Sequence, residues 1–127
     1  MAQVGSRGKR LDIIARQGST IGPFIVDLVN PDDSPVNLTG CTITGQIRKN
    51  ALDTLKVADL TIVVLDPLVG KFSFEILHSV SKDIPAGEFQ RSVESVYQWD
   101  MELLDTLNKI TPLYYGEYLN FREVTRP

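Results

Sequence analysis

Three stretches of this chain alternate apolar and polar residues with a period of two, and that period is the strongest constraint on its fold. Thr42 to Arg48 places Ile43, Gly45 and Ile47 on one side and Thr44, Gln46 and Arg48 on the other. Lys71 to Leu77 sets Phe72, Phe74 and Ile76 against Ser73 and Glu75. Val96 to Leu103 sets Tyr97, Trp99, Met101 and Leu103 against Gln98, Asp100 and Glu102. Successive side chains of a strand point to opposite faces, so each stretch reads as a strand with one buried and one wet face. Short turns between such strands indicate an antiparallel sheet.

The intervening segments fit that reading. Phe24, Val26 and Leu28 share a face in GPFIVDLVN, and LDIIARQG precedes it across GSTIG. NPDDSP concentrates turn formers: Pro31 and Pro35 fix φ, while Asp32, Asp33 and Ser34 can bond the nearby backbone. ADLTIVVLD aligns Leu60, Ile62 and Val64, PLVG is a further turn, and TLNK reads as a hairpin turn. In HSVSKDIPAGEF, Ser79 or Ser81 is placed to cap a single helical turn that Pro85 and Gly87 end. The conformation of residues 88–95 is left open. ITPLYYGEYLNFREVTRP supplies the closing strand or strands, with Gly116 marking a bulge or a close backbone approach.

Seven or eight strands, one short helical turn and no long amphipathic helix predict an all-β fold, an antiparallel, immunoglobulin-like β-sandwich. An open-ended barrel is the near neighbour. The 127 residues suffice for one domain with a core of its own. Residues 11–127 are expected to form it, after a flexible basic arm at 1–10. Arg7, Lys9 and Arg10 stand in that arm without an acid, which leaves ten bases against sixteen acids in the rest. A net charge of −3 is too mild for a dedicated nucleic-acid binder, and no sequence-specific nucleic acid is expected.

Chemistry is thinly represented. Cys41 is the one cysteine and His78 the one histidine, which excludes an intrachain disulfide, a thiolate zinc site and a multi-histidine metal site. A nucleophilic Cys41 would need His78 as its base, yet the strand layout sets one at a strand entrance and the other beyond a strand end. Small, semi-buried packing is the expected role of Cys41, and a surface loop that of His78. Asp100 and Glu102 share a strand face, about 7 Å apart by strand rise, as outward polar residues of a half-wet sheet do. Asp32 and Asp33 lack the oxygen series of a calcium loop. Tyr97, Trp99, Tyr114, Tyr115 and Tyr118 offer either a sugar-stacking platform or a core, with a core the more common use of strand aromatics. Asn37-Leu38-Thr39 matches a glycosylation sequon. The opening MAQVGSRGKR lacks the apolar centre of a signal peptide, and no apolar run approaches a membrane span. A reducing, cytoplasm-like compartment, no membrane, no metal, no cofactor and no enzymatic activity are therefore expected.

One group of motifs resembles a known family. A strand ending in Gln17-Gly18 leads to SPVNLTGCTITGQIRK; a strand after Gly70, then IPAGEF, WDMEL and YGEYLNFREVTRP, follow. This order, from Leu11 to Arg126, resembles a family of small virion proteins of tailed bacteriophages. It also looks like the N-terminal β-sandwich of phage upper-baseplate proteins. Leu38-Thr39-Gly40 with Ile47-Arg48 is the most specific part. The sequence departs from the family at Cys41, where an aromatic is usual, and in a longer segment around Glu88 to Ser95. The resemblance implies a structural part of a tail, baseplate or neck without a catalytic site, assembled in bacterial cytoplasm and located in the virion. It implies contacts with other virion proteins in a symmetric, multi-copy assembly. The basic residues Arg7, Lys9 and Arg10 are candidate partner contacts, and the arm from Met1 to Arg10 is expected to order only in the particle. The alternative is a glycan-binding module of the tail tip that uses the tyrosines and Trp99.

Overall fold

The computed structural model describes residues 2–3, 8–50, 55–85 and 94–121. Among these residues ten strands run in the order β1 (Ala2–Gln3), β2 (Lys9–Arg10), β3 (Ile13–Arg16), β4 (Ile21–Val29), β5 (Thr42–Arg48), β6 (Ala58–Asp59), β7 (Thr61–Asp66), β8 (Lys71–Ile76), β9 (Glu94–Leu104) and β10 (Ile110–Phe121). They form two sheets packed as a β-sandwich. The first has the order β1-β4-β8-β7; the second has β2-β10-β9-β5-β6, with β3 also on β10. The long ladders are antiparallel, as the alternation predicts. The short N-terminal strands add in parallel: β1 to β4, and β2 and β3 to β10.

The three period-two stretches meet face to face. Ile43 and Ile47 of β5, Phe72, Phe74 and Ile76 of β8, and Tyr97, Trp99, Met101 and Leu103 of β9 are all buried in one core cluster. Phe74 of the first sheet lies 5.9 Å from the Trp99 ring of the second, and Trp99 stacks on Tyr114 at 6.1 Å. The Phe74 contact crosses the sandwich and the Tyr114 contact runs along the second sheet; both add specific geometry to the area they bury. The Trp99 indole donates to the carbonyl of Leu11 at 2.7 Å. Leu11 reaches so far inward because it crosses Gly116 of β10, where a Cβ would sit 2.2 Å from that same oxygen. Gly116 therefore serves a close backbone approach, while the irregularity in β10 falls between Pro112 and Tyr114.

Several local readings are corrected. The ADLTIVVLD run is two strands in different sheets: Ala58–Asp59 pairs with β5, and Thr61–Asp66 pairs with β8. The crossing falls at Leu60, whose N–H donates to Gly45 and whose side chain packs over that glycine. Ile62 and Val64 keep the expected face, opposite Phe74 and Phe72, but Val64 lies on an edge strand and is 39% exposed. Phe24 keeps the expected face, with its ring 5.1 Å from Phe74, but lies at an open edge and is 44% exposed. PLVG forms a 3-10 turn, Pro67–Val69, closed by Gly70 at φ 70°.

The short helix, α1 (His78–Ser81), has Leu77 as its N-cap and no side-chain cap, so neither Ser79 nor Ser81 plays that part. Ser81 is instead buried, and its hydroxyl accepts from the N–H of Gly18. At the N-terminus, regular pairing begins before Leu11, since Lys9 and Arg10 lie alongside Tyr114 and Tyr115. The Asn30–Ser34 turn and the Asp105–Lys109 hairpin stand where expected.

Trp99→Ala is expected to lower stability by about 3–5 kcal/mol, as for a large buried aromatic. Gly116→Ala should cost about 1–3 kcal/mol, because the added methyl forces Leu11 off β10. Equilibrium urea unfolding of both variants checks this; a near-native Gly116→Ala would mean that the crossing is loose.

Candidate functional site

The residue types considered for chemistry do not come together. Cys41 directly precedes Thr42, which pairs with Leu104 at the Ile110 end of the β9-β10 ladder. His78 bonds through Nδ1 to the carbonyl of Gly18, beside the Phe121 end, where Gln17 donates to Phe121. Twelve strand residues separate those ends, so the thiol and imidazole lie on the order of 30 Å apart. Cys41 is half-buried against the core, with Sγ 3.8 Å from the Asn37 carbonyl. His78 is exposed as expected, but it opens α1 rather than lying in a loop. Asp100 and Glu102 are exposed on the outer face of the second sheet. Among the described residues no group of three His, Cys, Asp or Glu side chains is placed to hold a metal ion, and no helix is long and apolar enough to cross a membrane.

The aromatics divide four to one. Tyr97, Trp99, Tyr114 and Tyr118 are buried, and Tyr115 alone of the five is exposed, at 44%. A stacking platform built from all five therefore does not form. Tyr115 lines a shallow outer hollow of about 150 Å³ with Gln46, Arg48, Gln98 and Asp100. Asp32 accepts from both the N–H and the hydroxyl of Ser34, and these bonds hold its carboxyl below the usual range. That arrangement is an Asx turn, consistent with a reversal rather than an ion site.

The signature residues make a local structure with a clear physical basis. Leu38 is 2% exposed in the core, and its N–H donates to Pro67. The Asn37 side chain accepts from Thr39, and the N–H of Cys41 returns to the Leu38 carbonyl. Gly40 occupies the third position of that four-residue turn at φ 75°, where a type II turn requires a positive φ. A Cβ there would also meet the Thr106 methyl at 2.8 Å. Ile47 is fully buried, and Arg48 turns outward to donate to Gln46 at 2.6 Å. Leu-Thr-Gly thus pins the entry of β5, and Ile-Arg marks its inward and outward faces.

Sequence reasoning missed a buried polar cluster at the Phe121 end. The segment from α1 to Pro85 closes that end of the sandwich, with Ser81 and Ile84 buried. Asn120, fully buried on β10, donates to the carbonyls of Ile84 and Pro85. Tyr97 donates to Pro85 at 2.5 Å, and Gln17 to Ile84 at 3.0 Å. The available signal was Asn120 at an inward position two residues past Tyr118. Burial pushes the Tyr118 phenol up to about 12. The Ser81 hydroxyl beside it pulls the other way without forming a well-shaped hydrogen bond. Burial also raises Tyr97 and Tyr114.

Two exposed apolar features remain. The edge strand β7 exposes Val63 and Leu65 by about half, and Leu68 beyond it by 68%. On the opposite side, a cleft of about 430 Å³ opens between β3 and the first half of β4, lined by Leu11, Ile14, Phe24 and Ile25 over a floor of Phe74 and Tyr114. Exposed apolar edges and clefts of this kind are places where another surface can dock.

No protein-family model and no curated protein matches this sequence.

Two outcomes follow from this geometry. Gly40→Ala should destabilise by about 1–2 kcal/mol, the cost of a left-handed conformation for an L-residue, read by thermal unfolding. The second concerns alkaline pH. The folded Tyr118 keeps its proton to about 12, whereas an unfolded tyrosine loses it near its ordinary value of 10. Stability is therefore unaffected below pH 10 and falls as pH rises from 10 to 12, less steeply in Tyr118→Phe. Urea unfolding across that range measures it; identical slopes for the two proteins would contradict the assignment.

Proposed function

We propose that this chain is a structural component of a tailed-phage virion, an adaptor of the tail, baseplate or neck that acts through protein–protein contacts. The observation that carries the reading is the pair of exposed apolar edges on an otherwise tightly packed sandwich. Monomeric soluble proteins usually shield such edges with charge or cover them. Here β7 has no charged residue from Thr61 to Leu65. The signature turn adds support, since each of Leu38, Gly40 and Ile47 does structural work in the sandwich.

The glycan-binding alternative draws no such support, because its platform is mostly core. Arg7, Lys9 and Arg10 remain candidate partner contacts. Arg7 lies outside the described residues. Arg10 pairs with Asp12 at 3.2 Å and Glu117 at 3.6 Å, and Lys9 is exposed on the β10 edge.

Immunogold labelling of purified particles against this chain tests the proposal. Label at one fixed place on intact virions is the expected result. Label confined to infected-cell lysate and absent from particles would refute it.

A further inference from the structure

We propose that the segment from His78 to Pro85 is a releasable plug, which leaves the Phe121 end of the sandwich as one unit while both sheets stay paired. Its attachment is unlike that of any strand. No residue of the segment joins a strand ladder. Its backbone N–H groups from Val80 to Ile84 all bond to carbonyls between Leu77 and Ser81, three or four residues back. The segment therefore carries its own turns with it, and undocking breaks no bond between strands.

Side chains do the docking. The Gln17 amide donates to the carbonyls of Ile84 at 3.0 Å and Lys82 at 3.5 Å. Asn120 donates to those of Ile84 at 2.9 Å and Pro85 at 3.2 Å. The Tyr97 hydroxyl donates to Pro85, the Gly18 N–H to the Ser81 hydroxyl at 3.1 Å, and His78 bonds the Gly18 carbonyl. The docking station thus draws on the turn between β3 and β4, on β9 and on β10. Apolar anchorage is slight by comparison. Ile84 is buried and Val80 half-buried, whereas His78, Ser79, Lys82, Asp83 and Pro85 are exposed. A strand's hold on the core comes mainly from apolar burial, and here that hold is one isoleucine and part of one valine.

Docking also has a local cost. Among the described residues the two buried side-chain atoms without a hydrogen-bond partner, Tyr118 Oη and Asn120 Oδ1, both lie at this end. A buried polar atom left unpaired is expensive, and undocking opens both to solvent that can pair them. That difference works toward release and has no counterpart in the ladders of β5, β8 and β9. Parts of one fold open with free energies from near zero up to that of global unfolding, and units with few apolar contacts lie at the low end. Release uncovers Tyr97, Tyr118 and Asn120 and leaves the sandwich otherwise intact. The device does not depend on the virion reading, since it belongs to the chain alone.

Hydrogen exchange of the full chain, followed by NMR at rising sub-denaturing urea, tests this. The amides of Val80 to Ile84 and of Gly18 should share one protection factor, lower by about 100-fold or more than that of amides around Met101. They should also share one shallow but non-zero urea slope, since the slope scales with the surface exposed on opening. Tyr97→Phe keeps the ring and removes one tether, and Gln17→Ala removes the two from the turn. Each should lower the shared protection roughly two- to tenfold. Ile47→Val, in the core of β5, should lower protection around Met101 and leave the plug amides unchanged. Plug amides that exchange only with the rest of the sandwich, on the same steep slope, would overturn the proposal. So would amides that each exchange at their own level without urea dependence, which is fraying, or an Ile47→Val effect as large on the plug as on the core. Plug amides indifferent to the tether variants would also overturn it, and Gln17→Ala on the surface turn still decides this if Tyr97→Phe fails to fold.

Discussion

The Trp99 indole is the contact on which the two layers depend. It packs on Phe74 of the opposite layer and on Tyr114 of its own, and its N–H is satisfied by a backbone carbonyl from the N-terminal segment. A buried indole N–H without a partner costs about 1–3 kcal/mol. The sequence meets that need by omitting a side chain at position 116, which lets Leu11 approach. One glycine, one carbonyl and one indole thus tie β3, β9 and β10 into a single unit.

Much of this was legible before any coordinates. Where a strand has one wet and one dry face, the period of two reports directly on burial, and β5, β8 and β9 followed it residue by residue. Gly116 was also legible, as a glycine among aromatics has few other reasons to be there. What stayed hidden was partner choice. Leu60 is inward whichever sheet it serves, so its crossing leaves no mark on the alternation. β1 and β2 pair through two residues each, and backbone pairing that short has no side-chain pattern to announce it.

The functional residues divide in the same way. The Leu38-Thr39-Gly40 turn was identifiable because Asn, Gly and a core leucine each answer a local demand. The role of Ser81 was not, because its hydroxyl serves Gly18, more than sixty residues away. Local rules made a cap of it, and tertiary structure made it part of a buried end. The division of the aromatics depended likewise on register: the bulge before Tyr114 decides which of Tyr114 and Tyr115 faces in.

The crossing at Leu60 has a mechanical side. Sandwich layers are usually held together by side-chain packing, which resists compression well and peeling poorly. Here the chain steps from the second sheet to the first between Asp59 and Thr61. The first sheet is thus tied to the second by covalent backbone beside its β7 edge. A load applied to either layer is passed to the other through the main chain, so separating them means unravelling strands rather than parting a greasy interface.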